Sequence, residues 1–134
     1  GPVRNVIVRN NYFKDFGLGG GNSPIIVFVP ELKFDGEPTH YYHQNVYFEN
    51  NTCELFGRRL VVGISVKNFV FKNNTIKLSE TYPLAGSGQE AFYFRYSKDI
   101  TIENNDYQWP ENTSVDVGEY TEGVEVSGNT GIEY

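Results

Sequence analysis

Asn45-Val46-Tyr47-Phe48-Glu49-Asn50-Asn51 is one of five versions of a single unit in this chain. The others occupy 5–11 (NVIVRNN), 68–74 (NFVFKNN), 99–105 (DITIENN) and 123–129 (GVEVSGN). Their second positions are Val6, Val46, Phe69, Ile100 and Val124, and their fourth are Val8, Phe48, Phe71, Ile102 and Val126. All are apolar, whereas the third and fifth positions are mixed or polar, which is the period-two pattern of a strand buried on one face. Five copies of one strand read as layers of a stack. The fifth positions run Arg9, Glu49, Lys72, Glu103, Ser127, so opposite charges are expected on neighbouring strands about 4.8 Å apart.

Each unit closes on Asn-Asn, except the last, which closes on Gly128-Asn129. Gly replaces Asn most easily where φ is positive, so the first residue of the pair is expected in a left-handed turn. The second residue is Asn in every copy. Its amide both donates and accepts, and stacked copies predict an asparagine ladder through Asn51, Asn74 and Asn105. Two residues further on stand Phe13, Cys53, Ile76, Tyr107 and Gly131, an inward column for a second strand. A third strand fits 25–29, 60–66 and 91–96. Aligning Val66 with Ser97 sets Gly63 beside Phe94 and Ile64 beside Arg95, and this mismatch predicts a bulge or slip.

The Asn-Asn pairs lie 40, 23, 31 and 24 residues apart, at positions 10, 50, 73, 104 and 128. A coil of three short strands needs roughly the shortest of these, so the excess measures inserted loop. The insertions fall at 16–23 and 30–44, at 79–89, and at 110–117. No segment keeps a helical apolar period with caps.

A length of 134 residues suits one domain, and a net charge of −6 argues against a nucleic-acid partner. No apolar run approaches the length of a membrane-spanning helix, and no membrane partner is expected. The single cysteine, Cys53, forms no intrachain disulfide and reads as a small core residue. Nothing precedes the first repeat to cover Val6, Val8 and Phe13. The chain therefore reads as the C-terminal part of a longer protein, with upstream coils or a second copy against that end.

Glycoside hydrolysis needs two carboxylates about 5 Å or about 6.5–9.5 Å apart. Glu31, Asp35, Glu37, Glu90, Asp116 and Glu119 lie in or beside the insertions, where solvated loop carboxylates are the commoner outcome. His40 and His43, three apart beside Asp35 and Glu37, are too few for a metal centre, and no dense acidic cluster offers Ca²⁺ a cage. No metal or cofactor is expected. Sugar binding makes lighter demands: an aromatic face for C–H-rich rings and planar polar groups for hydroxyls. Tyr93, Arg95 and Tyr96, with Glu90, His43 and the Arg58-Arg59 pair, supply these types, although an ordinary outward strand face needs no ligand to explain it. Trp109 reads as a loop platform or a plug for the end of the core. Gly17 to Gly21 lacks the Lys and helix of a phosphate loop. The sequons at Asn50 and Asn73 coincide with the ladder turn, where a glycan is expected to disturb stacking, and a third stands at Asn112.

The apolar-x-apolar-charged-Asn-Asn unit, spread over nearly the whole chain, resembles that of the right-handed parallel β-helices of pectate-lyase-like proteins. The stretches NVYFENNTCELFG, VKNFVFKNNTI and SKDITIENN are most similar to those of gut-bacterial carbohydrate-active enzymes, including family 110 glycoside hydrolases, the α-1,3-galactosidases. The resemblance implies an all-β chain of about four to five coils, export from the cytoplasm, a glycan partner, and a cleft lined by the strand preceding the Asn-turn strand. That strand holds Tyr93 and Arg95, with Glu90 and His43 at its borders as ligand-binding candidates. No acid motif of the family can be matched residue by residue, so catalysis by this stretch alone is not expected. Three classes remain: part of a glycoside hydrolase, a non-catalytic glycan-binding module, and a structural segment of an adhesin or tailspike.

Overall fold

The computed structural model describes residues 1–15, 25–28, 34–57, 59–83, 90–108 and 113–134. Among these there is no helix. In chain order the strands are β1 (Arg4–Arg9), β2 (Tyr12–Lys14) and β3 (Ile26–Phe28), then β4 (His43–Glu49), β5 (Thr52–Leu55) and β6 (Val61–Ile64). Next come β7 (Val66–Lys72), β8 (Thr75–Leu78) and β9 (Phe92–Arg95), then β10 (Lys98–Glu103), β11 (Asp106–Tyr107) and β12 (Thr113–Val117), and finally β13 (Glu122–Ser127) and β14 (Ile132–Glu133).

These strands form three sheets, ordered β1-β4-β7-β10-β13, β2-β5-β8-β11 and β3-β6-β9-β12-β14. Every pairing is parallel. Through β12 the chain returns to each sheet at every third strand, an arrangement compatible with a parallel β-helix. The register follows the repeat: Val6, Val46, Phe69, Ile100 and Val124 lie side by side, as do Val8, Phe48, Phe71, Ile102 and Val126. The inner members are buried and the terminal valines half-buried, because a terminal strand has a neighbour on one side only. Phe13, Cys53, Ile76 and Tyr107 form the second column. The fifth positions also align, and Lys72 Nζ lies 3.9 Å from Glu49.

Aromatic rings fill much of the interior. Phe48 stacks on Phe71 with centroids 5.2 Å apart, and Phe71 meets Phe92 edge-on at 5.1 Å. Each fully buried Phe removes enough apolar surface from water to contribute about 1.5–3 kcal/mol. Burial also pushes the Cys53 thiol up to about 12, so it stays protonated and acts as core filling rather than a nucleophile.

Both turn expectations hold. Asn10, Asn50, Asn73 and Asn104 have φ of 54–59°, and Gly128 has 66°. The ladder is continuous: the backbone N–H groups of Asn11, Asn51, Asn74 and Asn105 each donate to the next Asn side-chain oxygen, at 2.9 Å. The amide nitrogens of Asn51, Asn74, Asn105 and Asn129 reach back to the carbonyls of Val8, Phe48, Phe71 and Ile102. Asn50 and Asn73, the first residues of their pairs, are exposed, and the ladder runs through the following Asn51 and Asn74. A second left-handed column, which the sequence reading does not anticipate, runs at the other end of the repeats. Asn5, Asn45, Asn68, Asp99 and Gly123, the first residues of the repeats, also have positive φ, and Asn45 and Asn68 each donate to the preceding Asn oxygen at 2.9 Å.

The third sheet brings two corrections. Gly63 does lie opposite Phe94, and Ile64 opposite Arg95, but with no slip. A Cβ on Gly63 would stand 2.6 Å from two Phe94 ring carbons, so the missing side chain makes room for the ring. The insertion at 110–117 contains strand β12, whose Val115, Asp116 and Val117 pair with Phe92, Tyr93 and Phe94.

At the β1 end, Val3, Val6, Val8, Phe13, Ile25, Ile26, Phe28, Val46 and Phe48 line an apolar hollow of about 290 Å³.

Candidate functional site

Alternation along the third sheet sends Phe92 and Phe94 inward and Tyr93 and Arg95 outward. The outer face therefore carries Val27, Val62, Tyr93 and Asp116 in register. Arg95 folds back across it: its Cζ lies 4.0 Å from the Tyr93 ring centroid, and its Nη2 donates to both Asp116 carboxylate oxygens at 3.0–3.1 Å. Space for this comes from Gly118, where a Cβ would stand 2.4 Å from the guanidinium carbon. Burial pulls the Arg95 guanidinium down, but the hydrogen bond and charge of Asp116 outweigh it and hold it above its usual value.

Arg59 approaches the same ring, its Cζ 5.3 Å from the Tyr93 centroid, and pairs through Nη2 with Glu90. Its Nε–H is buried with no acceptor among the described residues. Two guanidiniums thus share one phenol ring, and a ligand would meet a composite of Tyr93 and Arg95 rather than a bare aromatic face. The arrangement can donate hydrogen bonds in a planar fork while offering flat, weakly hydrated surface.

The structure gathers Tyr93, Arg95 and Glu90 and leaves His43 apart. His43 opens β4 with only 3% exposure, its ring 5.2 Å from Phe28. Its Nδ1 accepts the backbone N–H of Val3 at 3.1 Å, much as Ser97 Oγ accepts that of Val66 at 3.2 Å. It fastens the corner between third and first sheets. Burial, then the positive charges of the chain's amino terminus and Arg4, hold its imidazole below the usual value.

Of the candidate acids, Glu90 pairs with Arg59, Asp116 with Arg95, and Glu119 accepts from the Tyr96 hydroxyl at 2.7 Å. Asp35 and Glu37 are exposed on the loop before β4. Among the described residues no group of three or more His, Cys, Asp and Glu is placed to hold a metal. Glu31, Arg58, Trp109, Asn112, Gly17 to Gly21, and residues 84–89 of the second long loop lie outside the described residues. The sequence marks Asp116 only as a loop acid, because the strand that aims it at Arg95 lies in a stretch whose length suggests insertion.

Comparison with known proteins gives a consistent result. No family model matches the chain. It is 30% identical over 103 residues to α-1,3-galactosidase A of Bacteroides fragilis strain YCH46, covering 77% of this chain and 17% of the relative. It is 33% identical over 107 residues to α-1,3-galactosidase B of Akkermansia muciniphila, covering 78% and 13%. With α-1,3-galactosidase B of Phocaeicola vulgatus the identity is 27% over 115 residues, covering 81% and 19%. The chain spans less than a fifth of the length of these relatives. The similarity is thus to a segment of glycoside hydrolases, shared along most of the present chain.

Proposed function

We propose that this chain is a β-helix portion of a glycan-acting protein of the glycoside-hydrolase type, wound as a right-handed parallel β-helix of four to five coils. Its similarity to α-1,3-galactosidases over three quarters of its length carries this reading. The glycan-facing surface in this proposal is the outer face of the third sheet. Tyr93 and Arg95 present a flat composite, Arg95 and Arg59 donate to sugar hydroxyls, and Glu90 accepts from them. Phe34 of the first long loop stacks on Tyr96 at one end of this sheet. Ser79 and Glu80 of the second are tied to Asp15 and Glu54.

A binding role for this stretch is favoured over a catalytic one, because Glu90 and Asp116 are each held by a guanidinium. Each carboxylate is thereby already engaged by an Arg side chain. The chain alone therefore binds galactosides at about 1 mM or weaker and does not hydrolyse them.

Calorimetric titration of the chain with α-1,3-linked galactobiose, beside an Arg95→Ala variant of equal thermal stability, tests this. Saturable binding lost in the variant is expected. Equal binding by both proteins, or none by either, overturns the assignment.

A further inference from the structure

We infer that the corner between the third and first sheets is a second saccharide site, separate from the Tyr93 face, with the ring of Tyr120 as its platform. The inference takes its ligand class from the glycan reading above and its place from the geometry of the corner.

Ser65, Tyr96 and Tyr120 succeed one another along this corner with φ of 62°, 53° and 51°. The N–H of Ser65 donates to the carbonyl of Arg95 at 3.1 Å, and that of Tyr96 to Glu119 at 2.8 Å. A bulky residue at positive φ is uncommon and costs backbone energy. Ser65 makes the same turn with a small side chain, so the turn itself does not call for an aromatic ring. What the tyrosines add is a stack: Tyr96 lies 4.6 Å from Phe34 at an interplanar angle of 16°, and 5.7 Å from Tyr120 at 30°. The stack ends in Tyr120, which is 51% exposed.

Beside that ring runs a groove of about 180 Å³, between Glu37, Pro38 and Tyr41 on the long loop and Tyr120, Thr121 and Glu122 at the start of β13. A second hollow of about 230 Å³ continues it past Phe34 and His40, sharing Glu37 and Pro38. Together they reach the lower part of the roughly 300–1,000 Å³ range of small-ligand sites. An exposed ring offers C–H contact to one face of a pyranose. Glu37 and Glu122 accept from its hydroxyls, and the Tyr41 phenol donates or accepts. Burial raises Tyr41, which keeps the phenol protonated. The charges acting on Tyr41 are the carboxylates Glu122, Asp99 and Glu37 and one ammonium, Lys98, which lies 3.4 Å from Glu122. That balance disfavours acidic sugars and assigns the groove to a neutral saccharide.

Amide-shift titration with methyl α-galactoside, repeated with galacturonic acid, tests the assignment. Saturable shifts at Tyr41, Tyr120, Thr121 and Glu122 are expected with the neutral sugar, and at least threefold weaker ones with the acid. Tyr120→Gly removes the platform and relaxes the backbone, so these shifts should vanish with no fall in melting midpoint. Shifts at Tyr93, Arg95 and Asp116 should remain. Glu37→Gln, on an exposed loop, should weaken corner binding severalfold. The site is overturned if the neutral sugar moves only the Tyr93 face, if the acid binds the corner as well as the neutral sugar, or if Tyr120→Gly leaves the corner shifts intact. Corner shifts without any at Tyr93 would instead overturn the third-sheet assignment alone, and no saturable shift anywhere overturns both.

Discussion

The backbone N–H of Asn51 donates to the side-chain oxygen of Asn74 at 2.9 Å, while the Asn74 amide nitrogen reaches the carbonyl of Phe48 at 3.0 Å. One side chain thus bonds both a buried backbone donor and a buried backbone carbonyl at the turn. Asn74→Ala removes both bonds, leaves the Asn51 N–H without its acceptor and should cost about 1–3 kcal/mol. Asn74→Asp keeps only the acceptor and should lose stability as well. Chemical denaturation measures both, and an unchanged midpoint for Asn74→Ala would remove the ladder as a source of stability.

Gly63 and Phe94 share one volume. Gly63→Ala should destabilise by about 1–3 kcal/mol through overpacking, since its Cβ would stand 2.6 Å from the ring. Adding Phe94→Leu should recover part of that loss. A double-mutant cycle by thermal melting checks the coupling, with additive losses as the contrary result.

His43 imposes a sign on pH dependence. Its imidazole sits below the ordinary value of 6.5 in the folded state, so the unfolded chain takes up the proton first as pH falls. The contribution is fully present above about 6.5 and is lost on acidification toward the lower folded value. Protonation also removes the acceptor for Val3. His43→Gln keeps a neutral acceptor, so its melting midpoint should fall less than that of the natural chain between pH 7.5 and 5.5. Parallel pH profiles for the two proteins would contradict this.

Gly118→Ala displaces Arg95 without deleting it. The Arg95 side chain is only one-fifth exposed and that of Asp116 two-fifths, so solvent screens their pair and its loss should cost about 1 kcal/mol or less. Galactoside affinity should fall severalfold, because the guanidinium no longer lies over Tyr93. Calorimetry beside a thermal melt separates the two effects, and unchanged affinity would argue against Arg95 as the contact.

The columns were legible because a side chain that points inward in one strand must meet its counterpart in the next, and Val46, Phe69 and Ile100 repeat that demand. The same Asn-to-Gly exchange that disclosed the turn at Asn73 also stands at Asn68 and Gly123, so the second left-handed column was available to the same argument. β12 was hidden because Thr113 to Val117 has only two apolar residues and lies in a stretch whose length looked like insertion. With it went the partner of Arg95. His43 was misplaced for a different reason: a histidine beside loop acids looks polar, and only the corner geometry shows its ring turned inward against Phe28.

The most direct test of the account is an amide-shift titration with α-1,3-linked galactobiose, read residue by residue. The account predicts saturable shifts through residues 90–96 and at Asp116, with no turnover of the disaccharide. Saturable shifts that leave Tyr93, Arg95 and Asp116 unmoved, or hydrolysis by this chain alone, would contradict it.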